Sequence, residues 1–164
     1  MDKKYCTAVV LAAGQGKRMG TKIHKQYLHI LEKPVVYYAL KAFQESSQVD
    51  EVILVTGKDE ISYCKEEIVD HWGLNKVTAI IAGGRERYDS VEGALKTLAH
   101  NSEARDGYVM IHDGARPFVT PEIISRVWED VQKYQACTAG MPVKDTIKLA
   151  DREGFGSETT IRSL

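Results

Sequence analysis

Cysteine and proline are scarce in this chain, with three and four copies respectively among 164 residues. Cys6, Cys64 and Cys137 are scattered, and no two have the spacing of metal ligands. That pattern argues against a disulfide framework or a zinc site and for incidental thiols in a reducing compartment. Long apolar runs are also missing; none approaches the ~20 residues that a membrane-crossing helix needs. The opening Met1-Asp2-Lys3-Lys4-Tyr5 lacks the apolar core of a secretion signal. Charge of one sign is absent too: 22 basic against 23 acidic residues leave a net charge of −1, so no global basic field points to nucleic acid. There is no internal repeat and no low-complexity stretch. With 43% hydrophobic and 27% charged residues, the composition is that of an ordinary folded protein. The expectation is a single cytoplasmic domain spanning 1–164, with neither membrane nor nucleic acid as partner.

Short apolar runs alternate with helical patterns. Tyr5–Leu11 is β-branched and apolar without alternation, as in a strand buried on both faces. Glu51–Thr56, Lys76–Ile81 and Tyr108–His112 have the same character, and Cys137–Val143 is read as a fifth strand. Pro34 suits a first helical position, with Val36, Leu40 and Phe43 on one face behind it. Asp89 and Glu92 form a capping-box pattern ahead of Val91, Leu95 and Leu98. Thr120-Pro121 opens a further helix carrying Ile124, Val127, Trp128 and Val131. Strand–helix–strand repetition predicts a three-layer, Rossmann-like α/β fold with a mostly parallel sheet, whose ligands sit beyond the carboxyl ends of the strands. After Val143 the pattern changes to a hairpin, with strand-like Val143–Lys148 and Glu158–Ile161 around a polar middle. This reads as a protruding arm over 143–164. The chain then stops at Leu164 without a capping helix, so a C-terminal portion of the domain is expected beyond it.

The first strand runs straight into Leu11-Ala12-Ala13-Gly14-Gln15-Gly16-Lys17-Arg18-Met19-Gly20. Small residues let backbone N–H groups approach a ligand and cradle phosphate oxygens. Lys17, Arg18, Lys22 and Lys25 add four positive charges with no acid between them. On a nearly neutral chain that concentration implies a polyanion, and a nucleoside triphosphate fits. Two familiar loops are excluded. A dinucleotide fingerprint needs glycine at Met19 and an acid at the next strand's end, where Thr56-Gly57 stands. A Walker loop needs Ser or Thr after Gly16-Lys17 and a glycine at Leu11.

The string Ala12-Ala13-Gly14-x-Gly16-x-Arg18-Met19, followed by Lys25-Gln26, resembles the sugar-phosphate nucleotidyltransferases. Within them it resembles the 2-C-methyl-D-erythritol 4-phosphate cytidylyltransferases of the non-mevalonate isoprenoid pathway. Three further strings carry the resemblance: Gly83-Gly84-x-x-Arg87-x-x-Ser90-Val91, His112-Asp113-Gly114-Ala115-Arg116-Pro117-Phe118, and Pro142-Val143-Lys144-Asp145-Thr146-Ile147-Lys148. One departure is His24, where the family usually has proline. The related ribitol 5-phosphate cytidylyltransferases tend to have Asn-Glu-Thr in place of Tyr88-Asp89-Ser90 and alanine-valine in place of Gly114-Ala115. A non-catalytic nucleotide-binding module is disfavoured by the presence of both Arg18 and Lys25.

The resemblance implies roles residue by residue. Arg18 and Lys25 would stabilise charge on the α-phosphoryl group and the leaving pyrophosphate of CTP. Ala12, Ala13, Gly14, Gly16, Gly83, Gly84 and Ser90 would hold the nucleotide, with Ser90 on the edge of the cytosine. Asp113 and Arg116 would line the pocket of the sugar-alcohol phosphate acceptor. Thr146 and Arg162 would reach a partner's acceptor from the hairpin arm of a homodimer. Magnesium, carried mainly by the triphosphate, is expected. Arg87 is read as shaping its loop, and His112 as a packed strand-end residue.

Overall fold

A computed structural model of the chain describes residues 3–14, 24–142, 148–150 and 156–159. Its centre is a four-stranded, fully parallel sheet of β1 (Cys6–Ala12), β4 (Glu51–Thr56), β5 (Val77–Ala82) and β6 (Tyr108–Asp113), in the order β5-β4-β1-β6. β1 is central and covered on both faces, which is why its sequence shows no polar alternation. Its period of two splits the core cleanly. Cys6, Ala8, Val10 and Ala12 join one buried cluster with Leu40, Phe43, Ile124 and Trp128. Val9 joins another with Ala94 and Leu98. The helices α1 (Val35–Glu45) and α4 (Pro121–Tyr134) therefore cover one face, and α3 (Arg87–Leu98) the other. This is the three-layer α/β arrangement that the alternating pattern predicts.

Helix starts follow the sequence with shifts. Thr120 caps α4, its side chain accepting from the Ile123 N–H at 3.4 Å. Pro34 is the residue before α1, one step earlier than its fixed φ first suggests. The box at α3 sits three residues upstream of the expected one. Glu86 is the cap, and Asp89 accepts from the Glu86 N–H at 2.9 Å, while Glu92 pairs with Lys96 at 2.7 Å.

Other elements depart from the sequence reading. The fifth strand is corrected: residues 136–142 are exposed and irregular. An extended segment becomes a strand only when a neighbour takes its backbone bonds, and Gly140 and Pro142 weaken any such pairing. Between β4 and β5 lies an unanticipated helical run, made of Lys58–Glu60, α2 (Ile61–Tyr63) and a π-wound stretch Cys64–Asp70. It buries only Cys64, Ile68 and Val69 among charged neighbours, which hides its periodicity. A small antiparallel hairpin pairs β2 (His29–Ile30) with β3 (Lys33–Pro34). Its two-residue turn, Leu31 at φ 49° and Glu32 at φ 66°, has the two positive angles of a type I′ turn without the usual Asn-Gly.

Of the arm expected over 143–164, the described residues are 148–150 and 156–159, and they pair as a hairpin. β7 (Lys148–Ala150) runs antiparallel to β8 (Gly156–Thr159). Together they form a two-stranded sheet separate from the central one. No helix among the described residues is long and apolar enough to cross a membrane.

Candidate active site

Chain order reverses between β1 and β6, and the carboxyl ends of strands around such a switch point form a ligand crevice. A cleft of about 800 Å³ opens there. Ala12, Ala13 and Gly14 leave β1 along one wall, and Lys25 and Gln26 stand beside them. Gly84 to Arg87 with Ser90 line the cleft as well, and so do Asp113, Ala115 and Arg116 after β6. Four cations, Lys25, Arg85, Arg87 and Arg116, face two acids, Glu86 and Asp113, among these lining residues. A cleft with that balance attracts anions.

The glycine pair after β5 is dictated by crowding. A Cβ on Gly83 would lie 2.3 Å from the Ala13 Cβ and 2.9 Å from the Ser90 Oγ. One on Gly84 would lie 2.2 Å from the Asp89 Cβ. The Gly83 N–H continues the ladder onto the Thr56 carbonyl at 2.8 Å. Ser90 is buried, and its hydroxyl accepts from the Gly84 N–H at 3.1 Å and donates to the Glu86 carbonyl at 3.3 Å. That hydroxyl is engaged in holding the turn against α3, whereas the resemblance implied a place for it on the edge of the cytosine.

Asp113 binds two arginines. Its Oδ1 accepts from Arg87 at 3.1 and 3.3 Å, and its Oδ2 from Arg116 Nε at 3.0 Å. Partial burial would raise this carboxyl's pKa, but hydrogen bonds and charge from Arg116 and Arg87 outweigh it and hold the pKa below the usual value. Arg87 thus ties the start of α3 to the end of β6. His112, next to Asp113, stacks edge-on against Phe43 at 5.5 Å, and its Nδ1 is buried without a partner. Burial pushes its pKa down, so the imidazole is neutral and structural.

Beneath the cleft lies a polar brace that sequence reasoning missed. The three-residue turn Lys25–Tyr27 exposes Lys25 and buries Gln26 and Tyr27. The Tyr27 hydroxyl meets Thr56 Oγ1, Glu60 Oε2 at 3.1 Å and Cys64 Sγ at 3.3 Å. Glu60 also accepts from the Gly57 N–H at 3.1 Å and bonds His24 Nδ1 at 2.5 Å. Burial raises the pKa of both Tyr27 and Cys64, so neither is a nucleophile. The Gln26 carboxamide donates to the carbonyls of Ala12, at 2.5 Å, and Gly14, at 3.1 Å. The only sequence signal for this was Gln26 following Lys25, whose side chain the charge argument had already singled out.

The structure therefore gathers Ala12, Ala13, Gly14, Lys25, Gly84, Ser90, Asp113 and Arg116 around one cleft, with Gly83 packed just behind. Gly16, Arg18, Thr146 and Arg162 lie outside the described residues.

The profile of the family described as 2-C-methyl-D-erythritol 4-phosphate cytidylyltransferase matches residues 6–164. The chain is 50% identical over 156 residues to the protein of that name from Lachnospira eligens, covering 95% of this chain and 66% of that one. It is 46% identical over 155 residues to the Clostridium kluyveri protein of the same name, covering 94% and 65%. The crystal structure of 4-diphosphocytidyl-2C-methyl-D-erythritol synthase from Anaerococcus prevotii is similar with a TM-score of 0.80 at 25% identity, covering 98% of this chain and 65% of that one. A second structure of a synthase of that name gives 0.77 at 26% identity, covering 99% and 71%. The chain thus spans 65–66% of the length of these two curated relatives.

Proposed function

The chain belongs to the 2-C-methyl-D-erythritol 4-phosphate cytidylyltransferase family, and on that premise we propose that it transfers the cytidylyl group of CTP to 2-C-methyl-D-erythritol 4-phosphate. The products are 4-diphosphocytidyl-2-C-methyl-D-erythritol and pyrophosphate. The carrying observation is that three strings far apart in sequence, at Ala12–Gly14 with Lys25, at Gly84–Ser90 and at Asp113–Arg116, line one cationic cleft at the sheet's switch point.

A phosphate oxygen of the acceptor attacks the α-phosphorus of CTP. A new P–O bond forms, and the bond from the α-phosphorus to the bridging oxygen breaks, its electron pair leaving with pyrophosphate. The attacking oxygen is already ionised, so no general base is needed, which agrees with the neutral, packed His112. Such transfer depends on positioning and on stabilising charge that spreads over phosphoryl oxygens. Lys25, exposed at the rim beside Gly14, is suited to the α-phosphoryl oxygens and the leaving group, with Arg18 as its companion. Asp113 and Arg116, at the β6 end, suit the acceptor: the carboxylate for its hydroxyls, the guanidinium for its phosphate.

Among the described residues, no group of three or more His, Cys, Asp or Glu gathers to hold a metal. Magnesium would then arrive with the triphosphate, and Asp113 is an acid of the cleft that could meet its hydration shell. When bound, the ion would neutralise part of the triphosphate charge. The hairpin of β7 and β8 supports a homodimer, since an isolated two-stranded ribbon is marginal without something to pack on. In that reading Thr146 and Arg162 complete a partner's acceptor site, and the assembly works in the cytoplasm. The test is pyrophosphate release from each of the four ribonucleoside triphosphates with methylerythritol phosphate present. Release with CTP alone is expected; none with CTP would sink the reading.

A further inference from the structure

We propose that Gln26 is a positioning residue that clasps the stem of the nucleotide loop and sets the place of Lys25 relative to it, an inference that rests on the nucleotide reading above. Gln26 is polar and only 3% exposed, at the edge of the cleft. Packing alone does not call for a carboxamide there. Its two N–H groups account for it, since they donate to two main-chain carbonyls, those of Ala12 at 2.5 Å and Gly14 at 3.1 Å. These carbonyls flank Ala13 where β1 ends, and buried backbone groups need partners.

The clasp has two consequences for an anionic ligand. Carbonyl oxygens are partial negative charges that repel phosphate, and here two of them are drawn toward a buried donor. A trans peptide is planar, with its N–H pointing opposite its C=O. Holding the Ala12 oxygen toward Gln26 therefore turns the Ala13 N–H edge away from it. The second consequence concerns Lys25, which precedes Gln26 in the same three-residue turn. Whatever fixes Gln26 to Ala12 and Gly14 also fixes the backbone that carries the Lys25 ammonium. Tyr27 and the His24–Glu60 pair bolt the other side of that turn to the end of β4. The rim cation and the loop stem are thus referenced to each other through one carboxamide.

The experiment compares Gln26→Met, which keeps length and loses both donors, with Gln26→Glu, which aims acceptors at two acceptors. Glu51→Gln, at the opposite end of the sheet, controls for loss of stability. CTP affinity is read by titration calorimetry, kcat and KM for CTP per folded molecule by pyrophosphate release, and folding by Tm. Both Gln26 variants are expected to weaken CTP binding by roughly tenfold or more, while Glu51→Gln lowers Tm and keeps the parent affinity. A Gln26→Met chain that binds CTP as the parent does overturns the proposal. If Gln26→Met does not fold, the same criterion applies to Gln26→Glu. A parent that binds CTP without releasing pyrophosphate fails the transfer reading alone, and affinity still decides the role of Gln26. A parent that binds no triphosphate overturns both.

Discussion

At the amino end of the sheet Glu51 is 7% exposed and accepts from Thr7 Oγ1 at 2.9 Å, Thr78 Oγ1 at 3.0 Å and Asn101 Nδ2 at 3.4 Å. At the carboxyl end Asp113 keeps 37% of its side chain exposed and binds two arginines. The first carboxylate is enclosed by neutral donors from β1, β5 and the segment after α3, so it joins β1, β4 and β5 and has no room for a ligand. The second is paired to cations that retain unused donors, because Arg116 gives one N–H and a guanidinium has five. α3 and α4 also begin at the carboxyl edge, with the partial positive charge of their amino ends. One sheet thus keeps structural charge at one end and exchangeable charge at the other. Location, more than residue type, separates a fastening acid from one that can meet substrate.

The strongest way to break this contrast is at the rim. Lys25→Ala and Arg18→Ala are each expected to cut turnover by ~10²–10³ with the fold retained; near-normal kcat beside an unchanged circular dichroism spectrum would remove the rim from the chemistry. Gly84→Ala drives a methyl into Asp89. It should lower stability by about 1–3 kcal/mol and raise KM for CTP, and an unchanged KM would show that this wall does not border the nucleotide. Glu51→Gln should cost a similar ~1–3 kcal/mol in denaturant unfolding yet leave KM for CTP alone. A shifted KM would mean that the two ends are not independent.

The smallest effect is a pH dependence. Asp113 has its folded pKa held below its unfolded value, so its stabilising contribution is present above an unfolded pKa of ~3.9 and is lost as pH falls through the folded one. The gap in unfolding free energy between parent and Asp113→Asn should stay level from neutral pH to about 5 and close below about 4, with a size under ~1 kcal/mol for so exposed a pair. A gap that persists into acid would assign the stabilisation to something other than the ionised carboxylate.

Much of this was written in local pattern. β1 and β4 announced themselves because strands buried on both faces keep unbroken apolar centres, and Thr120-Pro121 marked a helix start with a side-chain acceptor and a fixed φ. The cleft's glycines were legible as glycines, but their reason was not. Only contact shows that Ala13 and Asp89 occupy the space a Cβ would need. Gln26 and Tyr27 were silent because their partners lie 12 to 37 residues away, and the bond of Glu60 to His24 spans 36. The strand expected over Cys137–Val143 failed for a related reason. A strand is a property of two segments, and one segment's composition describes only half of it.

The register of β1 has a further consequence, for the order in which the protein is made. β1 is synthesised first, yet its Cys6 pairs with Tyr108, about a hundred residues later. At roughly 5–20 residues per second, a ribosome needs about 5–20 s to deliver that neighbour. Until then the Ala12–Gly14 stem can pack against β4 and the Lys25–Tyr27 turn, but the seam with β6 does not exist. The nucleotide half of the cleft can be built during translation, whereas the end bearing Asp113 and Arg116 waits for the longest loop closure in the sheet.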